Sequence, residues 1–359
     1  MAQQLASPDS VIEPCTKLLH DRSLNKAQRA EAFLIRGRGF HRSKRLADAA
    51  ADYKAAAALT PDNVEIYIFW ANVELRRGDS RAYIEKVERA VRLDASNPRV
   101  LRTIGTMYGN FGNRDAAMGF YGKALYADPQ EPFARLFRSK NYRNERRFAD
   151  AIADADALVA LPRDIINREG YLDDQGDVRD FRVVALIHRG ELFQDTGQDE
   201  RAAQDFDAAV TEGRSAPALV AKAEFLLSKS NVSPEAMALL QEATSREPDN
   251  ASAQFSLGLA YTNSKKFELA FAAFNKAIAA RPGFANALLM RARMHRQFGR
   301  TDDAVADFMA AIEADPWMLS QSMPALRHAG FWTSAQDPNR LTPDVQDAIR
   351  ACMIDTTCN

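Results

Sequence analysis

Small, apolar and aromatic positions recur along this chain at a spacing of 34 residues, with polar positions filling the intervals. A small residue is followed three residues later by an aromatic. After a turn come an alanine, an aromatic or aliphatic residue, a second alanine and often a proline. The copies at Gly37, Phe40, Ala49, Tyr53, Ala56, Pro61 and at Gly105, Tyr108, Ala117, Tyr121, Ala124, Pro129 show it well. So do Gly258, Tyr261, Ala270, Phe274, Ala277, Pro282 and Ala292, His295, Ala304, Phe308, Ala311, Pro316. A repeat of this length means stacked helix pairs rather than one globular core, and it places function on a long surface.

Helix pairs are predicted to begin near 30, 64, 98 and 132, then near 183, 217, 251 and 285. That gives eight repeats, four over 30–162 and four over 183–316, with an insertion at 163–182. Residues 1–29 hold a short helix over 9–20 and a polar connector. Residues 317–359 break the period, with helices near 321–329 and 343–354; Pro343 suits a first turn. A solenoid must cover its exposed apolar end, and this tail is the natural cap. Gly170-Tyr171-Leu172-Asp173-Asp174-Gln175-Gly176-Asp177 in the insertion clusters carboxylates, but not at the alternating spacing of a calcium loop. It predicts a solvated turn.

Each repeat position has a physical role. Gly37, Gly105, Gly190 and Gly258 let the second helix approach the first. Alanine faces them in seven of eight repeats (Ala49, Ala117, Ala151, Ala202, Ala236, Ala270, Ala304), and Tyr83 departs. Tyr53, Phe206, Phe274 and Phe308 fill the space between successive pairs. Pro61, Pro129, Pro248, Pro282 and Pro316 stop the second helix. Ser139 and Leu158 weaken the fourth copy, and Glu224 at a small-residue site must reach solvent or a partner. Arg36, Arg138, Arg189 and Arg291 precede the small residue, and the same four repeats carry Asp52, Asp154, Asp205 and Asp307 sixteen residues later. The other repeats lack both, which predicts a bidentate Arg–Asp bridge between the two helices of a repeat.

These residues resemble the tetratricopeptide repeat family over about 30–316. The resemblance implies an all-α, right-handed superhelical solenoid whose first helices line a concave groove. Carried over by position, the groove receives Leu34, Arg38, His41 and Arg42, then Glu65, Ile68, Asn72 and Arg76. Arg99, Arg102, Thr106 and Asn110 follow, then Phe133, Leu136, Lys140 and Arg143. Basic residues separated by apolar anchors suit an extended acidic peptide or a terminal carboxylate. In the C-terminal repeats Phe225, Phe255, Leu259 and Leu289 predict an apolar strip, for contact or for helix packing. The Lys/Asn/Asn/Lys/Arg clamp of the heat-shock-chaperone adaptors fits no three consecutive repeats. Leu326-Arg327-His328-Ala329-Gly330-Phe331-Trp332 and Leu341-Thr342-Pro343-Asp344-Val345-Gln346-Asp347-Ala348-Ile349 are similar to a helical peptidoglycan-binding module. Asp337-Pro338-Asn339 stands where that module has an Asp-Gly turn.

The 359 residues are 46% hydrophobic and 26% charged, with net charge −1, as for an ordinary folded protein and not a general nucleic-acid binder. Charge is uneven: residues 1–162 hold 26 Lys+Arg against 20 Asp+Glu, and 163–359 hold 21 against 28. No stretch has the roughly 18–20 apolar residues of a membrane span. Met1-Ala2-Gln3-Gln4 shows no signal peptide but looks like a start left by cleavage after small residues. Cys352 and Cys358 predict a short disulfide and an oxidising compartment, with free thiols as the alternative; Cys15 reads as a small apolar residue packing a helix. None of the five histidines stands at metal-ligand spacing with another His or Cys, and no phosphate loop or nucleophile elbow occurs.

The expectation is therefore a non-catalytic, cofactor-free scaffold or assembly factor of a bacterial cell envelope. It would hold a protein or peptide, acidic in character, in its groove, with self-association open. A cell-wall binding protein using the tail is the alternative, and the cytoplasm the alternative compartment.

Overall fold

The structure, a computed structural model, describes residues 9–167, 171–172, 178–319 and 343–354. It divides into two units, Met1–Ala209 and Val210–Asn359. The first begins with α1 (Asp9–Leu19), followed by four helix pairs: α2 (Lys26–Arg42) with α3 (Leu46–Leu59), α4 (Val64–Arg76) with α5 (Ser80–Leu93), α6 (Pro98–Asn110) with α7 (Arg114–Ala127), and α8 (Pro132–Asn144) with α9 (Phe148–Val159). A short helix α10 (Arg163–Ile166) leads to β1 (Tyr171–Leu172) and β2 (Val178–Arg179). These strands pair antiparallel, Tyr171 with Arg179 and Leu172 with Val178. The insertion thus forms a small ribbon, the one non-helical element in an otherwise all-α description. Gly170 and residues 173–177, the carboxylate cluster, lie outside the described residues.

The fifth pair is α11 (Phe181–Asp195) and α12 (Asp199–Gly213), and α12 runs across the division between the units. The second unit continues with α13 (Ala216–Lys229) and α14 (Pro234–Arg246), α15 (Ala251–Asn263) and α16 (Phe267–Ala280), α17 (Ala285–Gln297) and α18 (Thr301–Ala314), then α19 (Pro343–Ile354). Val345 and Ile349 of α19 are buried with Phe308, Ile312 and Leu319, with Cys352 packed against them. This helix covers the apolar end of the last pair, as a solenoid end requires. The expected helix near 321–329 and Cys358 lie outside the described residues.

Packing within a pair follows the repeat. A Cβ on Gly37 would stand 2.7 Å from Tyr53 Cε1, on Gly105 2.6 Å from Tyr121 Cε1, on Gly190 2.9 Å from Phe206 Cε1 and on Gly258 2.5 Å from Phe274 Cε1. The small residue therefore makes room chiefly for the ring of the second helix, more than for its backbone. The same rings reach the next pair: Tyr53 stacks on Phe69 at 6.3 Å and Tyr121 meets Phe137 at 5.9 Å. One residue type thus joins helices within and between repeats. In the fourth pair Ser139 replaces the glycine and is fully buried, its hydroxyl 2.7 Å from the Ala151 carbonyl. Glu224 is exposed and accepts from Ser256 Oγ at 2.5 Å.

The expected Arg–Asp bridge is present in all four repeats. Nε and Nη2 of the arginine meet both carboxylate oxygens at 2.8 and 2.7 Å for Arg36–Asp52, and at 2.7 and 2.7 Å for both Arg138–Asp154 and Arg189–Asp205. For Arg291–Asp307 the distances are 2.7 and 2.6 Å. The aspartates are buried, 4–7% exposed. In three repeats the remaining Nη1 reaches the preceding helix, at Thr16 Oγ1 (3.2 Å), Asp156 Oδ1 (2.9 Å) or Asn275 Oδ1 (2.7 Å). Each of these arginines thus fastens three helices.

Candidate functional site

The first helices α2, α4, α6 and α8 of the first unit are neighbours in sequence of pairs and in space. They carry the expected groove residues, but the structure buries some of those residues and leaves others half-buried or exposed. Leu34, Ile68 and Leu136 are buried at 2%, 2% and 0% exposure. Ile68 is therefore corrected from a groove anchor to a core residue, packed with Tyr83, Val87 and Ile104.

Arg102 is also corrected. It is 7% exposed, bonded to Glu131 Oε1 at 2.7 Å, and 4.7 Å from the centre of the Phe133 ring. Glu131 in turn accepts from the Ala134 amide and caps α8. The pair is thus an internal brace between the third and fourth repeats. Phe133 is half-buried and stacks on Phe181 at 4.6 Å, joining α8 to α11 across the insertion. Arg143 is neutralised by Asp195, 2.6 Å from Nε, and by Glu191. Arg99 is paired with Glu65 at 2.8 Å.

Arg38, Arg42 and Arg76 form a basic patch on the first two first-helices. Arg38 lies over the Phe69 ring at 4.8 Å, and Arg76 is exposed beside the half-buried Asn72. Burial, and secondarily the charge of Arg38, lowers the pKa of Arg42. Burial, and then Arg76, pushes His41 down to about 4. His41 therefore stays neutral at pH 7. Asn110 and Lys140 are exposed further along, on α6 and α8.

The apolar strip expected in the second unit is not an exposed one. Phe225 is 8% exposed. Phe255 meets Phe274 at 5.9 Å and Phe284 at 5.0 Å. Leu259 packs with Ala270, Phe274 and Met294, and Leu289 with Phe308 and Ile312. All four hold helices together.

These geometries can be set beside known proteins. Residues 226–283 and 266–316 match the tetratricopeptide repeat family model. Residues 226–316 are tetratricopeptide repeats. RNA polymerase II-associated protein 3 of Rattus norvegicus is 34% identical over 79 residues, and that of Mus musculus 33% over the same length. The match spans 22% of this chain and only 12% of those proteins. Among solved structures, the APC/C hetero-tetramer Cut9–Hcn1 resembles the fold at TM-score 0.58 and 15% identity, over 87% of this chain and 57% of that one. Yeast Tom70 does so at 0.56 and 20%, over 88% and 62%. A tetratricopeptide repeat protein from Parabacteroides merdae does so at 0.50 and 18%, over 71% and 94%.

Within the tetratricopeptide framework one polar contact was invisible to motif reasoning. Ser139 Oγ lies 2.7 Å from His188 Nε2, 49 residues away across the insertion. The hydroxyl donates to Ala151 and accepts from Nε2–H, leaving His188 Nδ1 without a partner. Burial, then Lys140 and Arg143, pushes His188 down to about 3. Ser139 has no access to solvent, so this pair holds α8 to α9 and α11 and presents no nucleophile. His295, 7% exposed, meets the edge of Phe271 at 4.9 Å. Among the described residues no three His, Cys, Asp or Glu side chains gather as metal ligands, and no helix is long and apolar enough to cross a membrane.

Proposed function

We propose that this chain is a protein-binding scaffold that holds an acidic segment of a partner against α2 and α4, with Arg38, Arg42 and Arg76 as the recognising groups. The observation that carries this reading is the placement of Arg38, Arg42 and Arg76 on the adjacent first helices α2 and α4, with Arg38 stacked across them on Phe69. Arginine suits carboxylates through its planar fork. The fold resembles a solved assembly of two protein types, which is consistent with a scaffold role. Lys140 and Asn110 extend the same face, whereas Arg102, Arg143 and Ile68 serve the structure.

The test is binding of a fluorescein-labelled oligoglutamate peptide by fluorescence anisotropy, with an oligolysine peptide of equal length as control. Triple replacement of Arg38, Arg42 and Arg76 by Glu should weaken the acidic peptide at least tenfold, while Lys123→Glu on α7 leaves it unchanged. Equal weakening by both variants, or equal binding of both peptides, would sink the reading.

A cell-envelope location and a Cys352–Cys358 disulfide belong to the same proposal. Their support is the spacing of the two cysteines and the packing of Cys352 under the last turn of α19, where a tail needs fastening. Cys15 is a buried free thiol. Titration of unreduced, denatured protein with a thiol reagent should count one thiol; a count of three would remove the disulfide and with it the argument for export.

A further inference from the structure

The bridging arginine is missing where the sixth repeat meets the seventh. Leu257 occupies the position of Arg189 and Arg291, and Ala273 that of Asp205 and Asp307. Gln241 stands where Asp156 and Asn275 accept the third guanidinium nitrogen. A cleft of ≈ 700 Å3 opens at this joint, and its lining includes Gln241, Asp249, Leu257, Tyr261 and Lys276.

Three of the four bridged repeats show what such a position can hold. Their arginine guanidinium lies beside the aromatic ring one turn further along the same helix: Arg36 at 5.5 Å from Phe40, Arg138 at 5.9 Å from Tyr142 and Arg189 at 5.6 Å from Phe193. Tyr261 is the corresponding ring in α15. It is half-buried in the cleft wall, and Leu257 offers it no cation. Gln241 Nε2 donates to the Tyr261 hydroxyl at 3.3 Å, which leaves the amide oxygen as an acceptor. Asp249 is exposed and makes no ion pair among the described residues.

We propose that this cleft receives an arginine side chain supplied by a partner polypeptide, its guanidinium over Tyr261 and its stem along Leu257. The chain's own repeats are the template: a planar cation held by a carboxylate, with an aromatic ring beside it in three repeats and an amide oxygen in the fourth. Lys276 on the α16 wall opposes this, but it is solvent-exposed, where charge repulsion is weak. The site is separate from the basic patch on α2 and α4 and does not depend on it.

The experiment is an NMR titration of the full-length, isotope-labelled chain with N-acetyl-arginine amide. N-acetyl-citrulline amide serves as the neutral isostere and N-acetyl-glutamate amide as the acidic control. Arginine should shift the Tyr261 and Gln241 amides in the millimolar range, with citrulline at least tenfold weaker. Lys276→Glu should tighten arginine binding severalfold. Leu257→Arg combined with Ala273→Asp should fold, build the internal bridge into the joint and abolish the shifts. No shift with arginine, an equal response to citrulline, or a stronger response to the glutamate compound would overturn the proposal.

Discussion

Arg291 and Asp307 face each other across α17 and α18 as a two-point bridge of 2.7 and 2.6 Å, and Asn275 of the preceding repeat accepts from the same guanidinium at 2.7 Å. Asp307 is 7% exposed, so the arginine is what makes a buried carboxylate tolerable there. Removing one partner of a buried pair costs about 3–5 kcal/mol, whereas replacing both by apolar groups is often neutral. Arg291→Leu should therefore destabilise strongly, and Arg291→Leu with Asp307→Leu should recover most of the loss. Stability in stacked repeats is local, so hydrogen exchange of the α17 and α18 amides is the measurement. A double variant as weak as the single one would contradict this account.

Two glycines predict opposite outcomes for the same substitution. Gly258→Ala would place a Cβ 2.5 Å from Phe274 and should cost about 1–3 kcal/mol. Gly119→Ala on α7 meets nothing within 4 Å and should stabilise by about 0.5–1 kcal/mol. Thermal unfolding of the two variants compares them directly.

Tyr53 buries its hydroxyl without a hydrogen-bond partner. Phe206, Phe274 and Phe308 hold the same position in other repeats. Tyr53→Phe removes an unpaired buried oxygen and should stabilise by roughly 1 kcal/mol. Urea denaturation followed by circular dichroism would show the midpoint rise.

The turn inside seven of the eight repeats holds a left-handed residue at one position. Gly78, Gly112, Gly197 and Gly299 supply it at φ 71–78°, but Lys44, Arg146 and Lys265 hold φ 57–61° with a side chain. Lys44→Gly, Arg146→Gly and Lys265→Gly should each raise the melting temperature, by an amount equivalent to about 0.5–1 kcal/mol. A fall in all three would show that the side chains make compensating contacts.

His41 and His188 are buried as neutral rings, pushed down to about 4 and about 3 from 6.5. Below pH 6.5 the unfolded chain takes up these protons and the folded chain does not. Stability is therefore full above pH 6.5 and falls as pH drops from there towards 4, by roughly 3 kcal/mol per histidine at the limit. Melting curves from pH 7.5 to 4.5 should show this loss, and His41→Phe should flatten it.

The repeats were legible because the period recurs. Helix starts expected near 64, 98, 132, 251 and 285 fall at Val64, Pro98, Pro132, Ala251 and Ala285. The first pair starts earlier, at Lys26, because Asn25 caps α2 with a reciprocal bond to Gln28. The candidate site was less legible. Helical position alone cannot distinguish Arg38, on the ring of Phe69, from Arg102, sunk against Glu131.

The sequence by itself determined the contacts whose two ends sit within one repeat. Arg36 and Asp52, or Gly37 and Tyr53, keep a fixed separation in every copy that carries the pair, so the pairing shows as a repeated correlation. Only the tertiary structure decided contacts between repeats. Arg143 finds Glu191 and Asp195 across the insertion, and Ser139 finds His188 there. Their separation in the chain depends on an irregular connection that occurs once, so nothing in the period announces them. Whether a charge is free to bind or already neutralised is settled by such contacts, since a neighbour of opposite sign a few ångströms away outweighs helical position.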